Sequence, residues 1–232
     1  DAHTVEVNGA RHAAKHILVA TGGHPMIPDI PGKELGITSN EAFHLEQLPH
    51  SILIEGGGYI AVEFATIFAG LGVSTTIVYR GDCLLRGFDL DLRRGLEAGL
   101  GERGIKIIYQ TTIRSLRKAG DDIVASFSDG VEAPFGAVMF ATGRRPNSHG
   151  LGLEEVGVRL GRHGAIEVDG YSQTSVPSIH AVGDVTNRVQ LTPVAIREGQ
   201  AFADTIFGNK PTTVDYSCIP AAVFSHPPIA GV

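Results

Sequence analysis

A glycine-rich turn between a short apolar strand and an apolar helix constrains this chain more than any other feature. Residues 56–61, "GGGYIA", fit the pattern G-x-G-x-x-A, with a predicted strand at 51–56 and a predicted helix at 59–71. The first glycine of such a turn permits a tight bend, and the next lets a pyrophosphate reach the backbone. Free N–H groups at the helix N-terminus also attract phosphate. The turn predicts a dinucleotide site; a glycine-rich turn kept only for packing is the alternative.

Strands and helices alternate on both sides of this turn, which predicts an α/β fold. Strands are predicted at 74–80, 105–110 and 135–147, and a helix at 89–103. Turn signals at Gly120-Asp121 and Asp129-Gly130 predict an antiparallel meander of about three strands within 113–133. The segment 4–23 is predicted to contain two strands with a turn at Asn8-Gly9, the second an apolar run that ends in Thr-Gly-Gly. Two short strands are predicted within 164–185, and a helix at 192–208. Along the helix at 59–71, the apolar face is predicted to comprise Ile60, Phe64, Ile67, Phe68 and Leu71.

Two arginines follow the second strand, where a dinucleotide fold often places an acidic residue that binds the ribose hydroxyls of NAD. Arg80 lies 24 residues after Gly56, and Arg86 follows it in the same loop. A guanidinium can bind a ribose 2′-phosphate in a bidentate manner, whereas an acid would repel it. The pair favours NADP over NAD. Two solvated surface arginines are the alternative, and Asp82 between them keeps the loop from being wholly basic.

Other candidate residues lie at strand ends and within the helix. Glu63 falls near the apolar face of the helix without an obvious intrahelical partner, so either a distant cation pairs with it or it is exposed at the rim. "ATG" ends two buried strands, at 20–22 and at 141–143. Asp184 follows the strand in "SIHAVGDV", where a carboxylate can accept hydrogen bonds from sugar-like hydroxyls. A simple strand exit is the alternative for each of these three segments.

Composition excludes several classes of function. The net charge of -6 argues against a nucleic-acid or anionic-membrane surface. No apolar run reaches the ~18–20 residues of a membrane helix, and no signal peptide is visible. Cys83 and Cys218 match no disulfide or metal-ligand spacing, and the ten histidines are scattered. We therefore expect no metal site and a reducing, cytoplasmic compartment.

Taken together, seven motifs resemble those of the glutathione reductase group of the class I pyridine nucleotide-disulfide oxidoreductases. The motifs occur in the family's order over essentially the whole chain: "ATGG", "GGGYIAVE", "VYRGDCLLRGFD", "ATGRRPN", "HAVGDV", "LTPVA" and "IPAAVFSHPPIAGV". The resemblance implies a Rossmann-like NADPH-binding domain at 23–146 that contains the meander. It also implies FAD-domain segments at 1–22 and 147–212, and the start of a dimerisation domain at 213–232.

The resemblance also assigns roles to individual residues. Tyr59 matches a tyrosine that covers the flavin and moves aside for nicotinamide, and Glu63 matches a glutamate paired with a lysine of the FAD domain. The implied NADPH contacts are Gly56, Gly57, Gly58, Tyr59, Ile60, Glu63, Arg80, Arg86, Gly143 and Val223. The implied FAD contacts are Thr21, Gly22, Asp184 and Thr192.

By resemblance, the activity is reduction of glutathione disulfide by a homodimeric flavoenzyme, with hydride passing from NADPH to FAD and then to a redox disulfide. The family's CxxxxC pair and C-terminal histidine are not among these residues, so we expect the chain alone to be inactive. Gln200 stands where many members have a substrate-binding arginine. Another disulfide reductase of the family, acting on trypanothione or lipoamide, and a non-catalytic nucleotide-binding module are the alternatives. Arg80 counts against the lipoamide enzymes, because these use NAD.

Overall fold

Short strands, four α-helices and three 3-10 helices make up the regular structure of the computed structural model, which describes all residues from Asp1 to Val232. The 3-10 helices are at Lys33–Leu35, Arg162–Gly164 and Gly183–Thr186. The strands, in chain order, are β1 (Thr4–Val7), β2 (Ala10–Ala13), β3 (Ile17–Val19), β4 (Gly23–Pro25), β5 (Ser51–Glu55), β6 (Ser74–Val78), β7 (Lys106–Ile108), β8 (Ile113–Ala119), β9 (Asp122–Phe127), β10 (Glu132–Phe135), β11 (Ala137–Phe140), β12 (Arg144–Pro146), β13 (Ile179–Ala181), β14 (Ala221–Val223) and β15 (Ile229–Gly231). The helices are α1 (Ser39–Ala42), α2 (Tyr59–Gly70), α3 (Leu90–Glu102) and α4 (Thr192–Ile206).

The chain divides into two units, which we name by their place in the sequence. The central unit comprises residues 25–143 and 218–232, and the flanking unit comprises residues 1–24 and 144–217. No helix in either unit is both long enough and apolar enough to span a bilayer. The assignment of residues 213–232 to a dimerisation domain stays a prediction.

A four-stranded parallel sheet in the order β7-β6-β5-β11 organises the central unit. The chain runs from β5 outward through β6 to β7 and then returns to β11 on the other side of β5, the 3-2-1-4 order of a dinucleotide-binding fold. Ile54 pairs with Ile77 on one side and with Met139 on the other, and all three are completely buried. The predicted α/β class is confirmed.

Helix α2 forms where the sequence predicts it, and its buried face includes Phe64 and Phe68 of the predicted apolar face. Ile67 and Leu71 were expected in the core and are 46% and 58% exposed, so this part of the prediction is wrong. The buried residues of the helix are Ala61, Val62, Phe64, Ala65, Thr66 and Phe68. Because the helix is apolar on almost every side, periodicity could not select the face; the small Ala61 and Ala65 permit the closest packing and define it.

The meander predicted between the third and fourth strands is confirmed as an antiparallel sheet in the order β10-β9-β8. Its two turns contain Gly120 and Gly130, both with positive φ. Ile113, Leu116 and Phe127 from this sheet pack with Leu53 and Phe140 of the parallel sheet in one apolar cluster. The meander therefore covers one face of the parallel sheet, and α2 and α3 contribute to the cluster on the other.

The flanking unit begins with β1, which pairs with β2 around the predicted turn at Asn8 and Gly9, whose φ values are 51° and 80°. Residues 4–23 were expected to contain two strands, but β2 lies between the first of them and the apolar strand β3. The parallel pair β3–β13 follows, and its residues Val19, Ile179 and Ala181 are buried in an apolar cluster. One prediction here is wrong, because residues 164–185 contain only the strand β13. The N–H of Ile166 instead donates to the carbonyl of Val185 at 3.0 Å, outside a regular ladder.

Gly32 provides a test of the packing between the 33–35 turn and β8. It has a φ of 78°, and a Cβ there would lie 1.9 Å from the carbonyl oxygen of Leu116. Gly104 has a φ of 77° and open space around it, which makes it a matched control. We expect Gly32→Ala to lower the free energy of unfolding by about 1–3 kcal/mol more than Gly104→Ala, measured by urea denaturation. Equal losses would show that the close approach to β8 is unimportant.

Candidate functional site

A cleft of about 480 Å³ opens where the carboxyl ends of β5, β6 and β11 meet, inside the central unit. Crevices at this edge of an open parallel sheet are where such folds bind ligands. Six of the residues predicted to contact NADPH line this cleft together: Gly56, Gly57, Gly58, Arg80, Arg86 and Gly143. The other four, Tyr59, Ile60, Glu63 and Val223, lie outside its lining.

The floor of the cleft is the glycine-rich turn between β5 and α2. Gly56 has a φ of 149°, and a Cβ there would lie 2.3 Å from the carbonyl oxygen of Ala141, so only glycine fits beside β11. Gly58, in contrast, has nothing within 4 Å of its Cβ position, and it is exposed at the N-terminus of α2. The turn therefore presents bare backbone and free helix N–H groups to the cleft.

The two arginines are the cations of this cleft. Arg80 and Arg86 are both exposed, and neither guanidinium forms an ion pair within the chain. Their donors are therefore available to an anion from outside.

Helix α3 fixes the loop that carries these arginines. The guanidinium of Arg93 donates to the carbonyl oxygens of Leu84 at 2.5 Å and of Cys83 at 2.7 Å. The carboxylate of Glu97 accepts the N–H of Leu84 at 2.9 Å. It also accepts the hydroxyl of Tyr109. Charge-assisted hydrogen bonds thus hold the backbone of Cys83 and Leu84, midway between the two arginines. Nothing in the sequence indicated these roles of Arg93 and Glu97.

Leu84, Leu85 and the neighbouring Tyr79 complete this anchorage. Leu84 and Leu85 are buried in the core, and the N–H of Leu85 donates to the carbonyl of Gly57 at 2.7 Å. The ring of Tyr79 lies against Gly57 and Gly81, where added Cβ atoms would approach it to 2.5 Å. These contacts directly connect the loop at 80–86, which carries the two arginines, to the glycine-rich turn.

The cysteine in this loop is poorly suited to redox chemistry. Burial raises the pKa of the Cys83 thiol, and a hydrogen bond with Glu97 raises it further. A thiol with a raised pKa is a weak nucleophile at neutral pH. Burial and Glu97 also raise the pKa of Tyr109, which keeps its hydroxyl protonated as the donor to Glu97.

Glu63 finds a partner that the sequence did not reveal. Its Oε1 accepts the backbone N–H of Phe224 at 2.9 Å, from a segment 161 residues later in the chain. The adjacent Val223 is 1% exposed and packs in the same core cluster as α2. Glu63 and Val223 therefore lie side by side in the central unit. The predicted ion pair between Glu63 and a lysine stays a prediction.

A second group of predicted residues comes together in the flanking unit. Thr21 and Gly22 follow β3, and Asp184 follows β13, so they leave the carboxyl ends of two adjacent parallel strands. A Cβ on Gly23 would lie 3.7 Å from the Cβ of Asp184, which shows how near the two segments are. Thr21 donates its hydroxyl to the carbonyl of Asn147 at 2.6 Å.

A buried carboxylate supports the Asp184 turn. Glu198 of α4 is 1% exposed, and its Oε2 accepts the N–H of Gly183 at 2.6 Å. Its Oε1 accepts the hydroxyl of Tyr216 at 2.7 Å and lies 3.1 Å from Arg188. This network fixes the residue immediately before Asp184, and sequence analysis missed all three members. Thr192, the remaining predicted FAD contact, is exposed at the first position of α4.

The sequence profile of the pyridine nucleotide-disulphide oxidoreductases matches residues 1–199. The chain belongs to this family. A member from Pisum sativum, glutathione reductase, chloroplastic/mitochondrial, is 53% identical over 100% of the chain and 42% of its own length. Glutathione reductase from a Nostoc strain is 46% identical over 98% of the chain and 52% of its own length. Trypanothione reductase from Leishmania donovani is 46% identical over 99% of the chain and 49% of its own length.

A solved structure has the same architecture over almost the whole chain. RclA from Escherichia coli, an HOCl-induced flavoprotein disulfide reductase, superposes with a TM-score of 0.93 at 28% identity, over 99% of this chain and 54% of its own. This likeness and the family profile confirm the predicted fold class, and the glutathione reductases among the relatives confirm the resemblance. The chain spans about half the length of the relatives that it matches.

Arg93→Met tests whether α3 holds the arginine loop. The substitution removes two charge-assisted hydrogen bonds, so we expect local opening of residues 82–86 to become easier by about 1.5 kcal/mol or more, roughly tenfold. Hydrogen–deuterium exchange of these amides measures the effect. Arg94→Met, at an exposed position with no bond to the loop, is the control. Unchanged exchange in Arg93→Met would contradict the role assigned to Arg93.

Proposed function

We propose that this chain is the cofactor-binding part of an NADPH-dependent, FAD-containing glutathione-disulfide reductase. The observation that carries the proposal is the pair Arg80 and Arg86, exposed and unpaired on the same cleft as the glycine turn. The names of the relatives from Pisum sativum and Nostoc support the substrate, and the whole protein's activity follows from theirs only as a proposal.

The cleft suits the phosphorylated end of NADPH. A 2′-phosphate carries close to two negative charges at neutral pH. The guanidinium groups of Arg80 and Arg86 offer planar sets of donors with no competing acid paired to them. Gly58 leaves open space at the N-terminus of α2 for a pyrophosphate. Because α3 already holds the loop, little ordering entropy opposes binding.

The flanking unit suits FAD in a comparable way. Asp184 is half-buried, and the Glu198 network holds the turn on which it lies. Its carboxylate is placed to accept hydrogen bonds from the polyol part of the cofactor. Thr21, Gly22 and Thr192 complete the proposed contacts. Bound here, the two cofactors would supply the hydride chemistry, with the nicotinamide as donor and the flavin as acceptor. The residues of this chain bind and orient the two groups.

A related disulfide is the second candidate substrate. The relative from Leishmania donovani, a trypanothione reductase, is 46% identical to this chain, the same value as the glutathione reductase from Nostoc. Gln200 stands where many members of the family have a substrate-binding arginine, and its Nε2 donates to Asp204 at 2.8 Å. Turnover of the full-length protein with glutathione disulfide and with trypanothione disulfide distinguishes the two. Preference for trypanothione disulfide would replace the substrate and leave the NADPH proposal intact.

Two further features belong to the proposal. The full-length protein is expected to be a homodimer in a cytoplasmic compartment. Cys83 and Cys218 are both free thiols, as a reducing compartment would maintain them.

Arg80→Glu with Arg86→Met tests the choice of cofactor. Each lost charge-assisted contact should weaken NADPH binding by about 1.5–3 kcal/mol, while NADH binding should change little because it lacks the 2′-phosphate. Calorimetric titration with both nucleotides measures the difference. Arg103→Met, which removes an exposed arginine at the end of α3, is the matched control. Equal losses for the two nucleotides in the double variant would refute the 2′-phosphate role.

A further inference from the structure

A buried carboxyl group faces the proposed nucleotide cleft with half of its hydrogen-bonding capacity unused. Glu55 is the last residue of β5 and is 6% exposed. Its Oε1 accepts the N–H of Ile113 at 3.0 Å. Its Oε2 is buried and has no partner. A buried carboxylate oxygen without a donor is costly, whereas a protonated one can act as a donor itself.

The surroundings of Glu55 contain one charged group that could stabilise its anion. On β6 its neighbour in register is Val78, and Arg80 follows two residues later. On β11 its neighbour is Phe140, and at the start of β8 it meets Ile113. Arg80 is thus the cation that opposes protonation of Glu55, and it is also a proposed ligand of the 2′-phosphate.

We propose that binding of a 2′-phosphorylated nucleotide in the cleft is coupled to protonation of Glu55, whose carboxylate takes up one proton from solvent. The neutral carboxylic acid is the form that coexists with the bound anion. This inference rests on the proposed NADPH function and adds a property of the same site, namely that cofactor affinity depends on the protonation of a residue beneath it.

Two electrostatic effects favour this linkage. Burial raises the pKa of Glu55 already in the free protein, against the lowering effects of the Ile113 N–H and of Arg80. A phosphate bound to Arg80 neutralises that cation and adds negative charge to the cleft, and both changes raise the pKa of Glu55 further. Because the bound state then holds more protons, affinity must fall as pH rises between the two pKa values.

The test is calorimetric titration of NADP⁺ and NAD⁺ into the wild-type protein and Glu55→Gln, in two buffers of different ionisation enthalpy. The number of protons taken up on binding is measured for each protein. Subtracting the number for Glu55→Gln from that for the wild type removes the contribution of protons that the phosphate itself exchanges. We expect up to about one additional proton taken up by the wild type with NADP⁺, and less with NAD⁺. Glutamine mimics the neutral acid, so Glu55→Gln should bind NADP⁺ more tightly than wild type at high pH, with the ratio changing by up to about tenfold per pH unit.

Identical proton uptake and identical pH dependence of the two proteins from about pH 5 to about pH 9 would overturn the inference. Glu102→Gln, which changes an exposed glutamate of α3, is the control for charge alone. If Glu55→Gln does not fold, carboxyl ¹³C NMR of the wild type decides the matter, since binding must convert one buried glutamate from the ionised to the neutral form.

Failure of this inference and failure of the proposed function give different results. Tight NADP⁺ binding without a proton difference refutes only the role of Glu55. NADP⁺ binding that is no tighter than NAD⁺ binding refutes the 2′-phosphate site, and the inference about Glu55 with it.

Discussion

Parallel pairing of β5 with both β6 and β11 is the constraint on which the candidate site depends. It brings the carboxyl ends of three strands to one edge, and the strand order reverses there, so the chain must leave a crevice. The pairing is possible because Gly56 lacks a Cβ: any larger residue would collide with the carbonyl of Ala141. One glycine thus permits both the closeness of the strands and the bare backbone that faces the cleft.

The cations of the cleft are positioned before any ligand arrives. Arg93 and Glu97 of α3 bind the backbone of the loop, and the buried side chains of Leu84 and Leu85 anchor it in the core. Arg80 and Arg86 are left exposed at its two ends. The flanking unit has a similar arrangement: the carboxylate of Glu198 accepts the backbone N–H of Gly183, and the neighbouring Asp184 is left half-buried. In both units a carboxylate of a helix holds the loop whose neighbouring side chains are proposed to contact a cofactor.

Local sequence signals predicted much of this architecture, and they failed where a contact spans a long stretch of chain. The G-x-G-x-x-A turn, the turn at Asn8-Gly9 and the two turns of the meander are each specified by a few neighbouring residues. The buried face of α2 followed only in part, because a helix that is apolar on most sides carries little directional pattern: Phe64 and Phe68 are buried as predicted, and Ile67 and Leu71 are exposed. The bond between Glu63 and the N–H of Phe224 joins residues 161 positions apart. Nothing local to Glu63 or Glu198 indicates which backbone amide each carboxylate accepts.

We propose that one anion-binding site, between Arg80 and Arg86, recognises the 2′-phosphate of NADPH. A crystal structure of the protein with bound NADP⁺ tests it most directly. We expect the 2′-phosphate to lie within hydrogen-bonding distance of both guanidinium groups, with the pyrophosphate over Gly58 at the N-terminus of α2. A 2′-phosphate that points to solvent, or a nucleotide bound outside the cleft, would contradict it.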